Sequence, residues 1–332
     1  MVTHDDVRAA YRLILGREPE NEAVVAQAAA GARDLAALRA GFVASPEFVH
    51  ANARPILLWM TRWAASRRHG AIETECPPDQ LARVFAHIRD VWSRLGEVEP
   101  HFSVMSHGAY KPANIGATLP HFLATGRVEA QELAGELAGH GLTPAGWRHC
   151  VELGCGVGRV TRHLAGMAGQ VTALDVSPAH LALARDHLER EGVGNVALVR
   201  VAAPEALDLP RCDLIYSRIV LQHNPPPVML FLLRRLLAAL EPGGVAVIQL
   251  PVFIEGYSFA TEAYLATMDR LDNQELHALP QQAVFRAVAE AGCDVLACYR
   301  DNSLGNIKQV SNRFVLRRRG AEAQGGEGNT PP

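Results

Sequence analysis

The run "VELGCGVGRV", Val151 to Val160, places glycine at positions 154, 156 and 158 directly after a short apolar stretch. Without Cβ atoms such a turn takes dihedrals closed to other residues and lets a ligand lie against its peptide groups. Two carboxylates flank it. Glu152 stands inside the apolar stretch, where it attracts a cation. Asp175 closes the run "VTALD" about twenty residues past the turn, the spacing at which an acid accepts both hydroxyls of a ribose. Asp175 also reads as a capping acid ahead of Ser177 and Pro178. Two histidines titrate in the range useful to a general base. His223, in "QHNPPP", is either the proton acceptor of a hydroxyl nucleophile or a ring that pins its loop by a hydrogen bond. His277, in "ELHALP", either faces a substrate from the opposite wall or is a surface or capping histidine.

These residues need a scaffold that brings the ends of separate runs together, and from His149 onward strands alternate with helices. Strands are expected at His149–Leu153, Gln170–Leu174, Asn195–Ala202, Asp213–Ser217 and Val245–Leu250, then at Asp294–Arg300 and Arg313–Arg318 with only a loop between the last two. Helices are expected from near Arg159, from Ser177-Pro178 to about Glu191, at Val228–Leu240 and at about Pro280–Ala291. The alternation predicts an α/β fold, a parallel sheet with helices on both faces, and the final pair should form an antiparallel hairpin. In such sheets the ligand sits beyond the carboxyl ends of the strands, where the glycine turn, Asp175 and His223 all fall.

Three details select among ligands. A dinucleotide turn reads G-x-G-x-x-G, and its third glycine would fall at Arg159. A pyrophosphate would not welcome Glu152. A terminal hairpin is foreign to a six-stranded parallel dinucleotide sheet. Together they favour S-adenosylmethionine, which carries an ammonium and a sulfonium and no phosphate.

The runs "VELGCGVGRVTRHLA", "VTALDVS", "DLIYSRIVLQHNPPP" and "LEPGGVAVIQ" occur in that order, and the stretch 146–319 resembles a class I S-adenosylmethionine-dependent methyltransferase. The resemblance implies a seven-stranded, mostly parallel Rossmann-like sheet with its seventh strand antiparallel, and S-adenosylhomocysteine as product. It implies that Glu152, Gly154, Gly156 and Gly158, with Cys155 in the same turn, hold the methionine part, and that Asp175 holds the ribose. Such enzymes often place an acid after strand three to pair with the adenine amine. Here that stretch is "VAAPEA" and Glu205 is displaced. Val176, Glu205 and Ile219 are the residues expected near the adenosine. The segment after strand five, "PVFIEGYSF", lies where inserts shape acceptor pockets in this family; Tyr257 and Phe259 either stack on an acceptor or pack the insert's own core.

The N-terminal region reads as all-helical. Thr3 and Asp6 form a capping box, Gly16 closes the first helix, and further helices are expected at Glu22–Ala30 and Asp34–Ala44, with Ser45-Pro46-Glu47 starting another. The block "YRLILGREPENE" followed by "LRAGFVASPEFV" resembles a small helical domain of unknown function related to phycobilisome linkers. That resemblance implies company with enzymes of bacterial surface-glycan assembly, hence a glycan or other small-molecule acceptor and a protein partner docked on this domain. The expected partition is residues 1–54 for this domain, 55–145 for a helical linker or lid that includes His101, His107, Tyr110 and Lys111, 146–319 for the α/β domain, and 320–332 for a disordered tail.

A net charge of -3 argues against bulk binding to nucleic acid, and Arg317-Arg318-Arg319 reads as the solvated end of the last strand. The six cysteines lack C-x-x-C spacing and mostly sit in apolar runs, which reads as reduced thiols in a cytoplasmic protein. No secretory signal and no membrane span is expected. No metal-ligand pattern and no G-x-S-x-G nucleophile motif is present in the sequence. The alternative to an enzyme is a cofactor-binding scaffold that has lost turnover.

Overall fold

The computed structural model describes residues 2–50, 70–144, 146–270, 274–301 and 308–320. The start of the expected lid region, residues 55–69, the tail from 321 onward and part of the terminal hairpin loop lie outside them. The chain divides into two compact units, residues 1–68 and 69–332.

In the first unit, helix α1 (His4–Ala10) begins with the expected capping box between Thr3 and Asp6 and passes into a π turn, Tyr11–Leu15. Gly16 ends it at φ 71°, a left-handed stop that glycine takes without strain. Helices α2 (Glu22–Gly31) and α3 (Leu35–Val43) start on the side-chain caps Asn21 and Asp34. Val7, Ala10, Tyr11, Val25 and Leu38 make the core. Arg17 does more than shape a turn. Its guanidinium forks onto both oxygens of Glu47, pairs with Glu20 at 2.8 Å and lies 4.9 Å from the Tyr11 ring centre. The two sequence motifs of this unit therefore meet through the Arg17–Glu47 pair.

The second unit is built on one seven-stranded sheet: β1 (His149–Leu153), β2 (Gln170–Asp175), β3 (Val196–Arg200), β4 (Cys212–Ser217), β5 (Leu240–Ile254), β6 (Cys293–Asp301) and β7 (Gln309–Arg318). Their spatial order is β3-β2-β1-β4-β5-β7-β6. Pairing is parallel from β3 through β5, and β7 runs antiparallel to both β5 and β6. The order reverses at β1, which lies between β2 and β4. That is where an α/β sheet opens a crevice beyond its strand ends.

Strand β5 is longer than the sequence suggests. Its pairing with β7 continues out to Ile254 opposite Gln309, so the "PVFI" of the expected insert belongs to the strand. The antiparallel partner supplies the ladder bonds that hold it extended. The helix after the glycine turn is shorter than expected, α7 (Thr161–Leu164). Bonds from Gly166 N–H to the His163 carbonyl and from Met167 N–H to that of Leu164 tighten it into three-residue turns.

Helices cover the sheet. Helix α4 (Pro78–Val98) is amphipathic and buries Val84, Phe85 and Ile88. It is followed by α5 (Pro100–Val104) and α6 (Ile115–Gly139). Behind the sheet elements come α8 (Pro178–Arg190), α9 (Pro226–Ala239), α10 (Thr261–Leu265) and α11 (Gln281–Glu290). Helix α9 is apolar nearly all round because it is enclosed: Val228, Met229, Leu233, Leu236 and Leu237 are fully buried. Each such side chain contributes about 1.5–3 kcal/mol of burial. Among the described residues no helix is long and apolar enough to cross a membrane.

Candidate active site

At the reversal point β1 runs into the glycine turn. The N–H groups of Gly154 and Cys155 both donate to the Leu174 carbonyl of β2, at 2.7 and 3.0 Å. Gly154 sits at φ 77°, and a Cβ there would lie 2.2 Å from a Val220 methyl. Gly156 sits at φ 52°, and its Cβ would lie 2.7 Å from a Val104 methyl. Only glycine fits both the conformation and the space. Asp175 ends β2 and accepts the Gly156 N–H on Oδ2 and the Ser177 N–H on Oδ1, each at 2.9 Å. One lone pair on each oxygen is left for a ligand. Capping of α8 falls to the Ser177 hydroxyl, which accepts the His180 N–H.

The turn and Asp175 line a cavity of about 470 Å³, within the range of small-molecule sites. One side of it is charged. Glu152, 4% exposed, accepts a 2.6 Å bond from the Thr161 hydroxyl. Burial pushes its carboxyl up to about 7, and the neighbouring Glu129 and Asp175 add to the rise. Glu129 of α6 accepts from Arg159 at 2.7 Å and from the Tyr216 hydroxyl at 2.7 Å, with Arg218 at 3.7 Å. Burial works to raise the Glu129 carboxyl, and the two guanidiniums outweigh it and hold it below the usual range. Glu129, Arg159 and Arg218 were not singled out from the sequence, since nothing local to residue 129 announces a partner on β4.

The other side is apolar, made by Phe85, Ile88 and Trp92 of α4, Val201 after β3 and Leu232 of α9. Between the two sides passes the loop after β4. Ile219 has φ 58°, a strained conformation for a β-branched residue. Its N–H is held by the Gln249 Oε1 at 2.6 Å, and Gln249 is tied in turn to Gln222 and Ser311. His223 follows in a 3-10 turn, Leu221–His223. Its Nδ1 donates to the Glu275 carbonyl at 2.8 Å, Trp92 packs against its ring at 4.9 Å, and burial pushes the imidazole down to about 4. The hydrogen bond that pins the loop is therefore present, and the ring is neutral at pH 7.

Of the residues expected around the ligand, Glu152, Gly154, Cys155, Gly156, Asp175, Val176, Ile219 and His223 all line this one cavity. Three do not. Gly158 turns toward α8, where a Cβ would meet that of Ala184 at 3.2 Å. Glu205 is exposed in the 3-10 turn Pro204–Ala206 and points no carboxylate at the cavity lining. His277 is neither on the cavity wall nor at the surface. It is 6% exposed, bonded through Nδ1 to the Tyr257 hydroxyl and through Nε2 to Glu275, each at 2.8 Å, among the rings of Phe259 and Tyr264. Tyr257 and Phe259 pack this cluster and do not line the cavity. In the expected lid, Tyr110 is buried against Phe122, and His101 packs edge-on to the same ring. The cavity is lined instead by Ser103, Val104 and Met105. Among the described residues no cluster of three or more metal-ligating side chains occurs.

The donor set fits S-adenosylmethionine on its chemistry. Bare peptide groups at Gly154 and Gly156 admit close approach, a buried carboxylate destabilised as an anion gains from an ammonium, and Asp175 offers acceptors to a diol. Residues 150–244 match the sequence model of a methyltransferase domain. The trans-aconitate 2-methyltransferase of Acidovorax sp. (strain JS42) is 34% identical over 152 residues, 45% of this chain and 56% of that protein. The ubiquinone biosynthesis O-methyltransferase of Paramagnetospirillum magneticum is 32% identical over 170 residues, 51% of this chain and 60% of that protein. The carboxy-S-adenosyl-L-methionine synthase of Chromohalobacter salexigens is 36% identical over 104 residues, 30% of this chain and 38% of that protein. The match thus spans roughly 40–60% of the length of these relatives. The strand order, the glycine turn and the two carboxylates agree with the match of residues 150–244 to a methyltransferase domain.

Proposed function

We propose that the protein transfers the methyl group of S-adenosylmethionine to an oxygen atom of a small-molecule, sugar or glycan acceptor. The observation that carries this reading is the convergence of the Gly154–Gly156 main chain, Glu152 and Asp175 on one cavity. When bound, the cofactor supplies an electrophilic methyl on a sulfonium. In this reading Glu152 and the turn hold the ammonium end, Asp175 accepts the ribose hydroxyls, and Val176 and Ile219 flank the adenine. Pairing with an ammonium would return the Glu152 proton to solvent, because an adjacent cation offsets the burial that raised its affinity.

In-line displacement at a sulfonium disperses charge, so positioning supplies most of the rate. The protein's contribution is a cavity with two fixed walls and helices α4 to α6 as a cover that excludes water. His223 adds a proton acceptor. With Nδ1 donating to a carbonyl, Nε2 carries the lone pair. That lone pair accepts the Gln222 amide N–H at 3.3 Å, a bond that a hydroxyl nucleophile would have to replace. The glycan class of acceptor, and a protein partner for the first unit, rest on the resemblance of residues 3 to 50 to domains found with surface-glycan enzymes.

Calorimetry with S-adenosylhomocysteine tests the cofactor assignment: saturable binding is expected in the parent and is lost in Asp175→Ala. Release of S-adenosylhomocysteine across a library of hydroxyl acceptors tests turnover. Binding without turnover on any hydroxyl, amine or carboxylate acceptor would identify a scaffold, and absence of binding would remove the proposal.

A further inference from the structure

The cavity lining includes the segment Ser103–Met105 and the loop after β4, and one short segment is bonded to both. Gln274 donates through Nε2 to the Ser103 carbonyl at 3.1 Å and accepts on Oε1 from the Ser106 hydroxyl at 3.0 Å. The next carbonyl, that of Glu275, accepts from His223 Nδ1 at 2.8 Å. The His277 N–H then donates to the Gln222 carbonyl at 2.8 Å. The segment has its own anchor. The His277 ring is bonded to Tyr257 and Glu275, the Tyr264 hydroxyl donates to Glu275 at 3.0 Å, and the Leu279 N–H donates to the Pro251 carbonyl of β5 at 3.0 Å.

What Gln274 holds matters for the cavity. Ser103, Val104 and Met105 line it, Val104 lies over Gly156, and the Ser103 hydroxyl is 3.0 Å from His180 Nε2. These three residues close the cavity over the glycine turn, whereas His223 belongs to the opposite loop. We propose that Gln274–His277 is a latch that fastens the cover segment Ser103–Met105 to the loop after β4 and so sets the rate at which the nucleoside ligand leaves. The ligand's identity rests on the function proposed above; the latch itself rests on the contacts. Gln274 is a positioning residue. It touches the main chain of the cover and acts on the ligand through it. Neutral hydrogen bonds of this kind are each worth a few-fold in an equilibrium, so loss of both should be read as roughly tenfold.

Hydrogen–deuterium exchange on the full chain without ligand tests the latch, comparing the parent with Gln274→Ala and Ser106→Ala. The amides of Met105 and His107, bonded to the carbonyls of His101 and Met105, should exchange about tenfold faster in Gln274→Ala, with the amides of β1 and β4 unchanged. Release of S-adenosylhomocysteine, followed by surface plasmon resonance, should quicken by a similar factor while association stays within twofold. Ser106→Ala should give part of both effects and add little to Gln274→Ala, since the two share one bond. Unchanged exchange at 103–107, or faster exchange with unchanged release, overturns the latch. A parent that takes up no S-adenosylhomocysteine removes the proposed function instead, and the exchange result then decides the latch alone.

Discussion

The two walls of the cavity are built on different principles. The wall of β1 and β2 is compact in sequence: Glu152, the glycine turn and Asp175 lie within 24 residues, and the Leu174 carbonyl and Asp175 carboxylate hold the turn directly. The rest of the lining, Trp92, Ser103, Glu129, Arg218 and His223 among it, comes from distant parts of the chain, and Gln274 holds Ser103 by a bond that spans 171 residues. Binding chemistry common to every cofactor of this class can be written into a short motif. The rest of the lining is left to long-range contacts, which can change without disturbing the motif.

Gly154→Ala should break the compact wall most severely. A left-handed alanine whose Cβ sits 2.2 Å from Val220 costs about 2–4 kcal/mol, read as a lowered denaturation midpoint. Asp175→Ala should weaken S-adenosylhomocysteine binding roughly 100-fold, the loss of two hydrogen bonds to a charged acceptor, and should lower the melting temperature too, since the Gly156 and Ser177 N–H groups lose their acceptor. Calorimetry that finds the affinity kept within threefold would separate Asp175 from the ligand.

Two substitutions sharpen the comparison through pH. The unfolded chain protonates His223 near 6.5 and the folded one only at about 4. The unfolded state therefore binds more protons in that window, and stability is lost as pH falls through it. His223→Gln should flatten this acid limb in urea titrations. Glu152 has the opposite sign. Its folded pKa of about 7 lies above the ordinary 4.5, so the folded state binds more protons between those values and stability is lost as pH rises. Glu152→Gln should gain stability relative to the parent as pH rises from 4.5 to 7, and should bind S-adenosylhomocysteine more weakly. The smallest effect is expected of Glu205→Ala, which leaves that affinity unchanged because the side chain is exposed and off the cavity.

The sheet was legible because its signals are local. Apolar runs, the Ser177-Pro178 helix start and the helix-free link to the final strand each announce an element within a few residues. The sequence predicts β5 only as far as Leu250, and its last four residues are extended because β7 pairs with them. The resemblance puts Glu205 near the adenosine, whereas in the 3-10 turn Pro204–Ala206 it is exposed and off the cavity. From the sequence His277 is either a substrate-facing residue or a surface or capping histidine, because its place before α11 does not fix where the ring lies. Burial among Tyr257, Phe259 and Tyr264 decides for the core.

By itself the amino-acid sequence determined the strand–helix alternation, the bare turn and the acids on either side of it, because dihedral freedom, periodicity and charge act between near neighbours. Only the tertiary structure decided that Glu129 meets Arg159 and Arg218, that Trp92 packs on His223, and that Gln274 bonds to the Ser103 carbonyl and the Ser106 hydroxyl. Those outcomes depend on which helix faces crowd together once water is expelled, and that is a property of the packed whole.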